Sequence, residues 1–154
     1  MPATTDMRHS AYRQLRSDSH PGCVVCCPSN VHGFGLEFRV ANNGTIEASF
    51  SCDKVFQGYP TILHGGVVST LLDGAMTNCL FARGHAAVTV ELSVRFRHPV
   101  VTGDPALVRA WITSSTRPVH ELAAELIQDG QIKATAKAKF LEKAAMGWFR
   151  KAGQ

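Results

Sequence analysis

The chain has 154 residues and a formal net charge of +4 with its seven histidines taken as neutral. This length holds one domain with a sizeable core and is too short for two ordinary ones. No apolar run is long enough to span a bilayer and no basic stretch leads into an apolar block, so neither a membrane span nor a secretory signal is expected and the cytoplasm is the default location. The basic residues fall in short groups: Arg95 with Arg97, Lys133 with Lys137 and Lys139, and Arg150 with Lys151. Such dispersed charge suits a phosphorylated small ligand better than nucleic acid, and solubility alone would also explain it.

In chain order, Asp6 to Ser17 is predicted as a short helix with Met7, Ala11, Tyr12 and Leu15 on one side and its polar remainder on the surface. His20 to Gly35 is dense in Pro, Gly, Cys, Ser and Asn and reads as an irregular segment with turns at Pro21-Gly22 and Pro28-Ser29-Asn30. Three of the five cysteines lie here, Cys23, Cys26 and Cys27. An odd count without an export signal argues against a disulfide framework. Zinc is the alternative to weigh, since His20, Cys23, Cys26, Cys27 and His32 fall within thirteen residues. Cys23 and Cys26 have the spacing of a ligand pair, but a second pair exists only by enlisting both histidines. The expected state is therefore metal-free, with small reduced cysteines packing a turn and both histidines on the surface or capping loops.

From Leu36 the period is two. Leu36, Phe38 and Val40 alternate with Glu37 and Arg39, Asn42-Asn43-Gly44 turns the chain, and Thr45 to Phe50 alternates again, which predicts a hairpin with one wet face. Cys52 to Leu63 carries Gly58 and Pro60 without sustained periodicity and reads as a loop. His64 to Arg83 is the long helix of the chain. Val67, Val68, Leu71, Leu72, Ala75, Met76, Cys79 and Leu80 recur at helical spacing and give it a broad buried face, in which Cys79 is core and not a nucleophile. Gly84-His85 ends the helix. Ala87 to Arg97 alternates with Val88, Val90, Leu92, Val94 and Phe96 inward and Thr89, Glu91, Ser93 and Arg95 outward. Ala106 to Ser115, Pro118 to Ile127 and Gln131 to Leu141 complete the strands, the last two joined by a hairpin signal at Asp129-Gly130. Met146, Trp148 and Phe149 are expected to cover an edge or an oligomer contact. The implied architecture is α+β, one long helix packed on or wrapped by an antiparallel sheet whose open edges favour pairing with a second copy.

Gly65 and Gly66 lower helix propensity where the helix begins, a choice that makes sense if the backbone must turn tightly or be approached closely. First-turn N–H groups can hold an anion or polarise a carbonyl oxygen as charge develops on it, with His64 capping or orienting the turn. Asp73 follows Gly65 by eight residues, about 12 Å along one helix, too far for both to grip a single carbonyl. Two such helices antiparallel across a two-fold interface would bring Asp73 of one chain to Gly65 of the other. The structural alternative for Asp73 is a carboxylate satisfied by Thr70, Thr77 or Asn78.

HGGVVSTLLDGAMTNCLFA followed by VTVELSVRFRHPVVTGD resembles the acyl-CoA thioesterases of the hot dog fold, in the branch of the phenylacetate-pathway and related small-acyl thioesterases. The resemblance covers roughly Gly33 to Phe140, and its specific part is the His-Gly-Gly start with an Asp nine residues after the His. It implies a long helix enclosed by a curved antiparallel sheet, in dimers often paired into tetramers, with acyl-CoA in the dimer interface and no cofactor. The division implied is an N-terminal helix and Cys-rich segment at 1–32, the hot dog domain at 33–141 and a tail at 142–154. Gly65 would supply the N–H to the thioester carbonyl, Asp73 would be nucleophile or general base, and His64 would be the histidine beside the donor. One departure concerns the residue six places before the histidine, often Asn or Gln in relatives and here Gly58; a one-residue loop shift would bring Gln57 into that role. Thr77, one turn beyond Asp73, is a further candidate partner of the carboxylate.

Around this centre, Phe56, Tyr59, Leu63 and Met76, with Ile62 and Phe81, would form an apolar acyl or aryl site, and Gly66 would adjoin the carbonyl donor. Arg95 and Arg97, with Arg117 and Lys139, are candidates for the CoA phosphates by charge. The expected reaction is hydrolysis of a small or medium acyl-CoA, aromatic ones included, to free acid and CoA. The alternatives are a non-catalytic acyl-CoA-binding or regulatory hot dog protein and an acyl-thioester dehydratase, which would use a histidine as its central base.

Overall fold

The structure, a computed structural model, describes residues 3–41 and 43–147. Helix α1 spans Ala3–Ser19 and helix α2 Gly65–Ala82; the strands are β1 (Arg39–Val40), β2 (Ile46–Ser51), β3 (Ala87–Phe96), β4 (Pro105–Thr116), β5 (Val119–Gln128) and β6 (Gln131–Glu142). The expected edge cover by Trp148 and Phe149, and Asn42 of the expected turn, lie outside the described residues.

All the strands pair antiparallel in one sheet of order β1-β2-β4-β5-β6-β3, which leaves β1 and β3 as its edges. Helix α2 lays Leu71, Leu72, Ala75, Met76 and Leu80 against it, all without solvent exposure. Opposite them the sheet carries a row of small side chains, Ala110, Ala124 and Ala136, paired across β4, β5 and β6 and buried in the same core. Side chains this short leave the room that a broad helix face needs to pack closely. The helix stops where the sequence says it should. Gly84 takes a left-handed φ of 81°, its N–H bonds the carbonyl of Phe81, and the His85 N–H bonds that of Leu80, the paired arrangement that satisfies the last carbonyls of a helix. At Asp129-Gly130 both φ values are positive, 52° and 69°, as a two-residue hairpin turn requires.

Three expectations are corrected. Helix α1 is longer than Asp6 to Ser17, and from its apolar side Tyr12 is buried and donates its hydroxyl to Asn78 Oδ1 on α2 at 2.8 Å. Of the strand expected from Leu36, only Arg39–Val40 makes ladder bonds, while Leu36 and Phe38 are buried from extended chain ahead of it. In β3 the pairing with β6 slips between Thr89 and Glu91. A bulge of one residue exchanges the two faces of a strand. Ahead of it Thr89 sits opposite the fully buried Phe140 and faces α2, while Val90 is exposed; beyond it Leu92, Val94 and Phe96 sit opposite Ala138, Ala136 and Ala134 on the inner face. Phe96, at the end of the strand, remains 57% exposed.

Candidate active site

The site is built along α2. At its start His64 is the N-cap, in extended conformation, and its Nδ1 accepts the Gly66 N–H at 2.8 Å. The ring is thereby held with Nδ1 as acceptor, and the Gly66 N–H is committed. Val67 and Val68 both direct their N–H groups at the His64 carbonyl. The Gly65 N–H has no hydrogen-bond partner among the described residues. It is the unspent donor of the first turn. An added Cβ on Gly65 would come to 3.4 Å from the Phe96 ring, so the backbone here lies against an aromatic face.

This donor opens into a cleft of about 720 Å³ lined by Gly58, Tyr59, Ile62, Leu63, Phe96 and Arg97, among others. Two segments shape it. The loop before α2 is tied to the helix start by the His64 N–H to the Phe56 carbonyl at 2.9 Å, and the Leu63 N–H reaches the Val100 carbonyl at 2.8 Å on the far wall. A Cβ at Gly58 would meet the His64 ring at 3.2 Å. Position 58 therefore adjoins the capping histidine, and glycine leaves that place without a side chain.

Asp73 lies outside this cleft. It is half-buried, and its Oδ1 accepts the Thr89 hydroxyl from β3 at 2.6 Å. Burial pushes its carboxyl above the usual range; the Thr89 hydrogen bond and the nearby His20 oppose that rise and Cys23 adds to it. The polar groups around it are spent on backbone. Thr77 donates to the Asp73 carbonyl at 3.0 Å, Asn78 to the Gly74 carbonyl at 2.8 Å and Thr70 to the Gly66 carbonyl at 2.8 Å.

Several expected site residues are placed elsewhere. Thr77 makes an i to i−4 backbone bond and no bond to the carboxylate. Gln57 is exposed, and its Oε1 accepts the Thr61 N–H at 3.3 Å, which turns the amide into its own loop. Phe56 belongs to an aromatic cluster with Phe34 and Phe50, at ring separations of 4.9 and 5.6 Å, and does not line the cleft. Met76 is wholly core and Arg95 stands outside the cleft, whereas Tyr59, Leu63 and Arg97 line it. Arg117 forks onto Glu142 at 2.8 and 2.9 Å and Lys139 pairs with Glu91, so both of these cations are engaged. Thr89 is the residue that the sequence pattern missed. Strict alternation put it on the outer face, and only the bulge turns it to Asp73.

Over residues 61–135 the sequence matches the thioesterase superfamily. A curated relative, acyl-coenzyme A thioesterase THEM4 of Bos taurus, is 32% identical over 71 residues, which are 44% of this chain and 29% of that protein. The chain thus spans less than a third of that relative's length. In fold it is similar to the Escherichia coli PaaI protein from the phenylacetic acid degradation operon, with TM-score 0.73 at 15% identity over 90% of this chain and 94% of that one. It is also similar to a Streptococcus mutans protein solved bound to acetyl CoA, with TM-score 0.66 at 18% identity over 70% and 88% of the two chains. The segment matched in sequence contains His64, Gly65, Asp73 and Thr89, and the helix and sheet that carry them have the hot dog fold of these structures.

Proposed function

We propose that the protein hydrolyses acyl-CoA thioesters of small or medium acyl groups, aromatic ones included, at a site completed by a second copy of the chain. The observation that carries this reading is an unspent Gly65 N–H facing an apolar cleft, on the same helix as a half-buried carboxylate that the cleft does not reach. The superfamily match, the activity in the name of THEM4 and the acetyl CoA on the Streptococcus mutans relative support acyl-CoA as the substrate class. The operon of the Escherichia coli relative supports aryl groups among the acyl portions. Exposed apolar side chains along edge strand β3, Val90, Leu92 and Phe96, support pairing with a second copy.

In this reading the thioester oxygen accepts the Gly65 N–H, where negative charge gathers as the carbonyl is attacked. Asp73 of the second copy either attacks the carbonyl carbon, forming an anhydride that water then opens, or takes a proton from water that attacks directly. The carbon–sulfur bond breaks, the CoA thiolate leaves and is protonated, and the net reaction consumes one water to give acid and thiol. Burial of Asp73 serves either role, since a desolvated carboxylate is a stronger base and nucleophile than one in water. Thr89 positions it. Arg97 at the mouth of the cleft offers a cation to the CoA phosphates. A dehydratase would need His64 as its base, but His64 Nδ1 is occupied by the Gly66 N–H, which favours hydrolysis.

Thiol release across a panel of short, medium and aryl acyl-CoAs tests the proposal. Wild type is expected to turn over members of the panel, and Asp73→Ala to fold while losing about 10²–10⁴-fold in rate, the usual range for an acid or base in proton transfer. Full turnover by the variant would remove Asp73 from the mechanism. Binding of CoA esters by wild type without thiol release would establish the non-catalytic binding protein instead.

A further inference from the structure

The irregular segment after α1 brings together three donors that the expected turn of reduced cysteines left without a task. We propose that His20, Cys23 and Cys26 form a binding site for one thiophilic divalent cation, zinc by the character of its donors, which clips the N-terminal segment to α2. A ring nitrogen of His20 and the Sγ atoms of Cys23 and Cys26 all lie within 4.8 Å of one another, and Cys26 Sγ stands 3.7 Å from His20 Nδ1. A tetrahedral zinc with bonds of about 2.3 Å to sulfur and about 2.0 Å to nitrogen separates such ligands by about 3.6 Å. Two thiolates offset the charge of the dication, and three protein donors leave the fourth position to water.

The turn that carries these donors is shaped for the purpose. The Cys27 N–H bonds the Cys23 carbonyl at 3.1 Å, and the Val25 N–H points at Cys23 Sγ at 3.3 Å, a backbone donor aimed at sulfur that favours its thiolate form. Contacts that use none of the donor atoms hold the turn in place. Val25 fills the notch at Gly74, where an added Cβ would come within 2.6 Å of its Cγ1, and Arg16 donates to the Cys26 carbonyl at 2.6 Å. The His20 ring meets Phe81 edge-on at 4.9 Å and is half-buried. The site is thus set before a metal arrives. Cys27, although adjacent, turns its thiol to the Pro21 carbonyl at 3.1 Å and to Ser29 at 3.2 Å and stays outside. His32 is exposed and remote from the cluster.

A second grouping provides the contrast. His85, His120 and Glu142 are equally close together, but Arg117 forks onto that carboxylate, so its charge is already met by a permanent cation. An incoming metal would have to displace a guanidinium there. At the cysteine cluster Arg16 gives its hydrogen bond of 2.6 Å to the Cys26 carbonyl and only a minor interaction to the Cys26 sulfur, with no fork onto the donor atoms.

The test is a titration of the reduced, chelator-treated full-length protein with Co²⁺, read by the sulfur-to-cobalt charge-transfer and tetrahedral d–d bands, followed by displacement with Zn²⁺. One equivalent per chain is expected. Cys23→Ser and Cys26→Ser should each lose the charge-transfer intensity, His20→Ala should weaken uptake, and Cys27→Ser should behave as wild type. Circular dichroism of each variant separates loss of the site from loss of fold. No uptake by reduced wild type, a Cys23–Cys26 disulfide that persists under reductant, or undiminished bands in the Cys23→Ser and Cys26→Ser proteins would overturn the proposal. Uptake that depends on Cys27 would overturn the ligand set.

Discussion

The first turn of α2 and the stretch around Asp73 lie on one helix and are made in opposite ways. The first turn is glycine, open to a cleft, with one backbone donor spent on His64 and the next unspent. Around Asp73 the helix is packed on both sides and its polar groups are committed, the carboxylate to Thr89, Thr77 to the Asp73 carbonyl, Asn78 to Tyr12 and to Gly74. An oxyanion donor has to be vacant to receive substrate, whereas a catalytic carboxylate has to be desolvated and fixed in direction. The two requirements conflict at one place on a helix. Separating them by about 12 Å resolves the conflict, and in the proposed mechanism a second chain supplies the other half of the site.

The difference can be attacked from either end. Gly65→Pro acts on the open end. Gly65 is the first helical residue, and His64 before it is already extended with φ −60° and ψ 134°, so proline fits the backbone; it removes the N–H and adds a ring whose Cβ would lie in ordinary contact with Phe96. A loss of about 10²–10³-fold in kcat is expected, the scale of one oxyanion donor, with the helix content unchanged by circular dichroism. A fully active Gly65→Pro protein would show that the carbonyl is held elsewhere.

Thr89→Val acts on the closed end and should have the smaller effect. Burial raises the Asp73 pKa and the Thr89 hydroxyl lowers it. In the proposed mechanism activity needs the ionised carboxylate, so the rate is expected to fall as pH drops through a value above the ordinary carboxylate range. Removing a hydrogen bond to a charged group costs about 1.5–3 kcal/mol of the ionised form, which moves the acid limb of the kcat/KM profile up by about one to two units. A profile left in place would mean that Thr89 contributes packing and does not tune Asp73.

Much of the closed end was legible because its signals are local. The apolar spacing from Val67 to Leu80, the Gly84 stop and the Asp129-Gly130 turn each follow from a few neighbouring residues. The helix start was also readable, since a histidine followed by two glycines marks a cap and an unspent donor within three residues. Three features depended on contacts far apart in sequence. Thr89 reaches Asp73 only through a bulge, which a period-two pattern carries no trace of. Phe56 left the expected acyl site because Phe34 and Phe50 offered it an aromatic cluster. The cysteine segment docks beside Asp73 because Gly74 leaves a notch for Val25, and a glycine inside a helix announces a close approach without naming what approaches.

The claim that one site draws on two chains is tested most directly by mixing two dead proteins. Asp73→Ala retains Gly65, and Gly65→Pro retains Asp73. If Gly65 of one chain works with Asp73 of the other, unfolding and refolding the two variants together in equal amounts restores one intact site in each mixed dimer, about a quarter of the wild-type sites for random pairing. Recovery to about that level, absent when the two are mixed without subunit exchange, is the result expected. A refolded mixture no more active than its parents would contradict the shared site.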